Sequence, residues 1–129
     1  MKTWMLASLL VVASAGSAMA QTDATFRKWC LPCHDAGADA KIKLGPPLNG
    51  IDGRKAGTFD GYNYSDAMKG SGITWNEAVF KEFIGGPMQK VPGTRMAFAG
   101  IANTQQRADV IAYLKQFDAK GNKSGSPAK

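Results

Sequence analysis

Cys30-Leu31-Pro32-Cys33-His34 constrains this chain more than any other stretch, because it gathers the only two cysteines and the only histidine into five consecutive residues. This CxxCH spacing is the one by which a chain holds haem covalently. On one turn of helix each thiol can add across a haem vinyl group to form a thioether, and the next residue then offers an imidazole to the iron. The alternatives for a CxxC are a redox dithiol, half a zinc site or a plain structural disulfide. Zinc needs about four ligands, and no second cluster exists to close such a site. A thioredoxin-like dithiol belongs in a βαβ setting, whereas the chain after His34 is rich in glycine and proline with no alternating apolar strand. Haem attachment is the favoured reading.

The first twenty residues read as a secretory signal: a basic start at Lys2, a mostly apolar run from Trp4 to Ala13, and a small-residue end at Ala18-Met19-Ala20. Cleavage after Ala20 is expected. The run falls short of the roughly 20 apolar residues of a membrane span, so a soluble, exported, periplasmic protein without stable membrane insertion is predicted. An uncleaved anchor is the alternative. Of 129 residues, 109 remain after such cleavage, enough for one domain (residues 21–119) and a flexible tail (residues 120–129) that lacks large apolar side chains. So small a domain has a modest core. A covalently held apolar macrocycle would supply much of the missing interior, and the haem-free chain is expected to fold poorly.

The formal charge of +6, or +5 once Lys2 is removed, favours acidic partners. Nucleic acid is not expected, since no dense Lys and Arg run is interleaved with aromatics.

Asp23 is a plausible cap for a first helix that places Phe26, Trp29, Cys30 and Cys33 at helical spacing, with Pro32 stopping or tightening it. Between Asp35 and Gly61 lie six glycines and the pair Pro46-Pro47, which reads as an ordered loop. Ser65 to Lys69 can make a turn or two of helix. Thr74 and Glu77 form a capping box ahead of a helix face of Trp75, Val79, Phe80, Phe83 and Ile84, and Gly85-Gly86-Pro87 ends that helix. Asn103 or Thr104 caps a last helix with the stripe Val110, Ile111, Leu114 and Phe117. The pattern is all-α: three main helices, short helical turns and long ordered loops.

One histidine leaves the other axial position of a haem iron open, and with no second histidine it falls to lysine, methionine or vacancy. Of Met68, Met88 and Met96, only Met96 lies in a loop, Val91 to Gly100, that can cross a haem face without a helix axis in the way. Core filling is the plainer role for a methionine.

Further motifs follow in order: Gly45-Pro46-x-Leu48-x-Gly50, Gly53-Arg54-Lys55, Gly61-Tyr62-Asn63-Tyr64-Ser65-Asp66-Ala67, Gly72-Ile73-Thr74-Trp75, Pro92-Gly93-Thr94-Arg95-Met96-x-Phe98-Ala99-Gly100, and Arg107 to Leu114. With these, the chain resembles a small class I c-type cytochrome of the mitochondrial and soluble bacterial type over nearly all of residues 22–118. The resemblance implies the cytochrome c fold around one covalent haem c, with Cys30 and Cys33 as thioethers and His34 and Met96 as axial ligands. It implies that the Pro46 carbonyl fixes the His34 ring. Tyr64 and Trp75 would hold a haem propionate near Arg54, and Phe98 would shield the haem beside Met96. Phe26 and Tyr113 would pack the first helix on the last, with Gly45 and Gly100 at tight backbone positions.

The function implied is a monohaem electron carrier and not an enzyme. A monomer would serve redox proteins with acidic docking surfaces: an oxidase, reductase, dehydrogenase or reaction centre. Lys28, Lys41, Lys43, Lys90 and Arg95 are candidate docking charges, with surface solvation as the plainer role of each. The competing class is a haem-based peroxidase or gas-binding sensor with a displaceable Met96. Three departures stand out. Phe83 replaces a common tyrosine near the methionine sulfur, Thr22 replaces a glycine at the crossing of the terminal helices, and Met88-Gln89 replaces two lysines of the docking face.

Overall fold

A computed structural model describes residues 15–124. Most of the expected signal segment and the last five residues of the expected tail lie outside that range. Five helices follow in order: α1 (Ala15–Trp29), α2 (Asp66–Lys69), α3 (Glu77–Gly85), α4 (Pro87–Lys90) and α5 (Thr104–Leu114). Among the described residues the extended pairings are two isolated bridges, Lys55 with Thr74 and Phe117 with Lys123. The fold is therefore the all-α one expected from the sequence, with three main helices and two single turns.

Two helix starts differ from the sequence expectation. Helix α1 is already wound at Ala15, the first described residue and eight positions before Asp23, so Asp23 does not cap it; Ala18 and Ala20 are strong helix formers that carry the winding through the expected cleavage point. Asp23 sits inside the helix and pairs with Arg27 at 3.0 Å. Helix α3 is capped by Asn76, whose side chain accepts from the Val79 N–H at 2.9 Å, and not by Thr74. The bridge to Lys55 holds Thr74 extended, so Trp75 lies just before the helix instead of on it. Asn103 caps α5 through the Gln106 N–H as expected, and the short α2 is capped by Ser65 through the Met68 N–H.

Helix α5 packs against both α1 and α3, and α3 against α4. The buried faces are Phe26 of α1, Phe80, Phe83 and Ile84 of α3, and Val110, Ile111 and Leu114 of α5. Phe26 stacks on Tyr113 with ring centroids 4.6 Å apart. Thr22 is buried and α1 still reaches α5. Its hydroxyl donates to the Met19 carbonyl at 2.8 Å, so the polar group is satisfied within its own helix. Thr25 also faces α5, donating to the buried Asp109 carboxylate at 3.4 Å.

The loop after α4 returns across the end of α3, where the Ile101 N–H donates to the Ile84 carbonyl at 2.8 Å. Gly100 makes the crossing with φ +109°, and a Cβ there would run into the Gly85 carbonyl. Of the expected tail, residues 120–124 turn back onto the end of α5: the Ser124 N–H donates to the Gln116 carbonyl at 2.8 Å, and Gly121 is buried.

Candidate functional site

The last turn of α1 winds directly into the CxxCH stretch. The Cys30 N–H donates to the Phe26 carbonyl at 2.8 Å, and the Cys33 and His34 N–H groups both return to the Cys30 carbonyl at 3.0 and 2.8 Å. Pro32, with no N–H to place, sits exposed in the middle of this turn. Both thiols are half-buried. Burial, with the Cys33 thiol beside it, pushes the Cys30 thiol up to about 12. A redox dithiol needs its attacking thiol moved in the opposite direction, so this environment counts against the thioredoxin-like reading.

His34 is oriented from the far side. Its Nδ1 lies 2.8 Å from the Pro46 carbonyl oxygen. A carbonyl can only accept, so this nitrogen carries the proton and Nε2 keeps its lone pair free for a metal. Burial holds the imidazole below its ordinary pKa against the pull of Pro46, and the charges of Arg54 and Lys43 add to the lowering. Gly45 makes room: a Cβ there would come within 2.7 Å of Nδ1. The Gly45 N–H also donates to the Cys33 carbonyl at 2.8 Å, tying loop to turn.

Arg54 and Trp75 come together through their backbones, the Trp75 N–H donating to the Arg54 carbonyl at 2.9 Å. The Arg54 guanidinium is partly buried and donates to the Pro47 and Asn49 carbonyls at 3.2 and 3.0 Å. Burial lowers its pKa, yet no carboxylate within the described residues pairs with it. Tyr64 accepts from the Phe59 N–H at 3.1 Å, and burial raises its phenol pKa. Trp75 is buried edge-on against Phe83, with centroids 5.1 Å apart.

Met96 is half-buried beside this same core. Its N–H donates to Thr94 Oγ1 at 3.2 Å and its carbonyl accepts from the Phe98 N–H at 2.9 Å, so the Met96 loop is internally braced. Arg95 donates to the Asn63 carbonyl at 3.0 Å, fastening the loop to the Tyr64 segment. Phe98 meets Trp29 edge-on at 6.1 Å, and Trp29 donates to Gln106 Oε1 at 3.2 Å. Trp29 thus brings the Met96 loop, α5 and the CxxCH turn to one place. Sequence reading used it only as an apolar helical position, and its adjacency to Cys30 was the available signal.

A family model for cytochrome c matches residues 19–118. The chain belongs to the cytochrome c family. As a member it is an electron-transfer protein built on covalent haem c, not an enzyme. It is 51% identical to cytochrome c2 of Blastochloris viridis over 117 residues, covering 88% of this chain and 92% of that protein. It is 56% identical to a cytochrome c2 of Rhodoplanes tepidamans over 99 residues, 77% of this chain and 92% of the relative. The structure of cytochrome cH from Methylobacterium extorquens matches with a TM-score of 0.69 and 44% identity, covering 75% of this chain and 96% of that one.

The residues present fit the prosthetic group of this family member. Two thiols stand one turn apart at a helix end, and an imidazole keeps one nitrogen free. A partly buried guanidinium without a carboxylate suits an anionic haem substituent. Among the described residues no helix is long and apolar enough to cross a membrane.

Proposed function

We propose that the chain is exported to the periplasm by cleavage after Ala20, holds its haem through Cys30 and Cys33, and ligates the iron with His34 and Met96. Bound there, the haem supplies a one-electron iron couple. The hydrogen bond from His34 Nδ1 to the Pro46 carbonyl carries this reading, because it fixes the tautomer that leaves Nε2 as the donor atom. Met96, on its braced loop beside the same core, offers a soft sulfur that favours the reduced metal. A thioether and an imidazole together leave no vacant position for oxygen or peroxide, which favours a shuttle over substrate chemistry.

Pro46 holds the imidazole and Gly45 leaves space for it. Arg54, Tyr64 and Trp75 receive the propionate side, and Phe98 excludes water near Met96. Lysines on the surface would speed encounter with redox proteins that present acidic docking surfaces and would let them go at moderate salt. Lys28 and Lys41 are exposed, whereas Lys90 already pairs with Glu82 at 3.0 Å.

The test is optical. The oxidised protein is expected to show a far-red sulfur-to-iron charge-transfer band that Met96→Ala abolishes. Rapid carbon monoxide binding by the native ferrous protein would overturn the shuttle reading.

A further inference from the structure

The carbonyls at the end of the CxxCH turn need partners from outside it, as at the carboxyl end of any helical winding. The Cys33 carbonyl finds the Gly45 N–H at 2.8 Å. Those of Leu31 and His34 both lie within hydrogen-bonding distance of one group, the Lys43 ammonium, the His34 oxygen at 3.5 Å. A cation is favoured there, because aligned peptide dipoles leave partial negative charge at that end. The loop carrying Lys43 is held on its other side as well: the Lys43 N–H donates to the Gly45 carbonyl at 3.1 Å and Tyr62 Oη donates to the Leu44 carbonyl at 2.9 Å. Two residues further on, Pro46 accepts from the His34 ring.

We propose that Lys43 is a positioning residue for His34: anchored on the Leu31 and His34 carbonyls, its ammonium braces the turn that presents the imidazole and holds a positive charge beside it. The inference rests on His34 as an iron ligand. Lys43 thereby leaves the set of free docking charges. Lys28 is the natural contrast: like Lys43 it is exposed, but its ammonium lies 4.8 Å over the Trp29 ring with no turn carbonyl in reach. A fixed positive charge close to the iron ligand disfavours the more positive oxidised state and so raises the reduction potential. Lys43 is exposed but in contact with the turn, so salt weakens this effect without abolishing it.

The experiment uses the haem-loaded protein and its variants Lys43→Gln, Lys43→Arg and Lys28→Gln. Reduction potentials are measured at low and high salt, with amide exchange at Cys33, His34 and Gly45 followed in the reduced state. Lys43→Gln is expected to lower the potential at both salt concentrations and to speed exchange at these three amides. Lys43→Arg should restore both, and Lys28→Gln should do neither. Unchanged potential and exchange in Lys43→Gln, or an equal fall of potential in Lys28→Gln, would overturn the assignment. Failure of the underlying reading looks different: the unaltered protein would then lack an imidazole-ligated, covalently held haem before any variant is compared.

Discussion

The Trp75 N–H donates to the Arg54 carbonyl, and the Gly53 N–H returns to the Trp75 carbonyl at 2.7 Å, so a cation and an indole 21 positions apart are fixed to one another by main chain alone. The side chains add to this tie: the Arg54 guanidinium holds the Pro47 and Asn49 carbonyls, and Trp75 is buried against Phe83. The helix interfaces depend on side chains alone.

Phe26 and Tyr113 join α1 to α5 by a stack at 4.6 Å. Phe26→Ala should cost about 3–5 kcal/mol, the usual range for emptying a buried aromatic site. A double-mutant cycle with Tyr113→Leu should return a coupling of about 1 kcal/mol. Denaturant unfolding of the haem-loaded protein measures both, and a coupling near zero would mean the stack adds nothing beyond burial.

Gly45→Ala brings a methyl group onto the His34 ring, 2.7 Å from Nδ1. Something must shift, and overpacking of this kind typically costs about 1–3 kcal/mol. The ring is the element that can move, so the His34 to Pro46 hydrogen bond should weaken too. Thermal unfolding gives the first effect, and the shifted ring resonances of the ligating histidine give the second.

Glu77 accepts from Lys81 at 2.8 Å and from Lys115 at 3.2 Å, linking α3 to α5 on the surface. The hydrogen bonds to these two lysines hold its carboxyl below the ordinary value of 4.5. A carboxylate depressed in the folded state contributes stability above its unfolded pKa and loses it as pH falls through the folded one. Glu77→Gln should thus lower the melting temperature slightly at pH 7 and leave it unchanged at pH 2. High salt should shrink the difference at pH 7, since the pair is exposed.

Removing both attachment points tests how far the macrocycle completes the interior. Cys30→Ala with Cys33→Ala, produced without haem, should show no cooperative thermal transition. The described core is one small cluster of buried aromatic and aliphatic side chains, modest for a domain of this size. A sharp unfolding transition in that variant would contradict the expectation.

Much of this arrangement was legible because local chemistry agreed with the final structure. The stripe Val110, Ile111 and Leu114 is buried on α5, and Asn103 caps it, since both signals act within one or two turns; Phe117, expected on the same helix, is buried past its end at Leu114. His34 and Pro46 meet as the resemblance implied. The failures are long-range. Thr74 lost its capping role to a bridge with Lys55, nineteen positions earlier, which no local pattern announces. The contacts of Lys43 with Leu31 and of Trp29 with Gln106 span 12 and 77 positions, and neither has a motif. Asp23 failed for the opposite reason, because helix propensity upstream extended the winding past it.

The pairing of α1 with α5 also sets a schedule. Thr25 reaches Asp109 across 84 positions and Trp29 reaches Gln106 across 77, so the helix that carries the cysteines has no packing partner until residues 104–114 have been made. Until that packing forms, the turn bearing Cys30 and Cys33 is held through Lys43, Gly45 and Pro46 without α5 behind it. Chemistry on those sulfurs is easiest before α5 docks on α1, and the closing of the last helix marks the end of that interval.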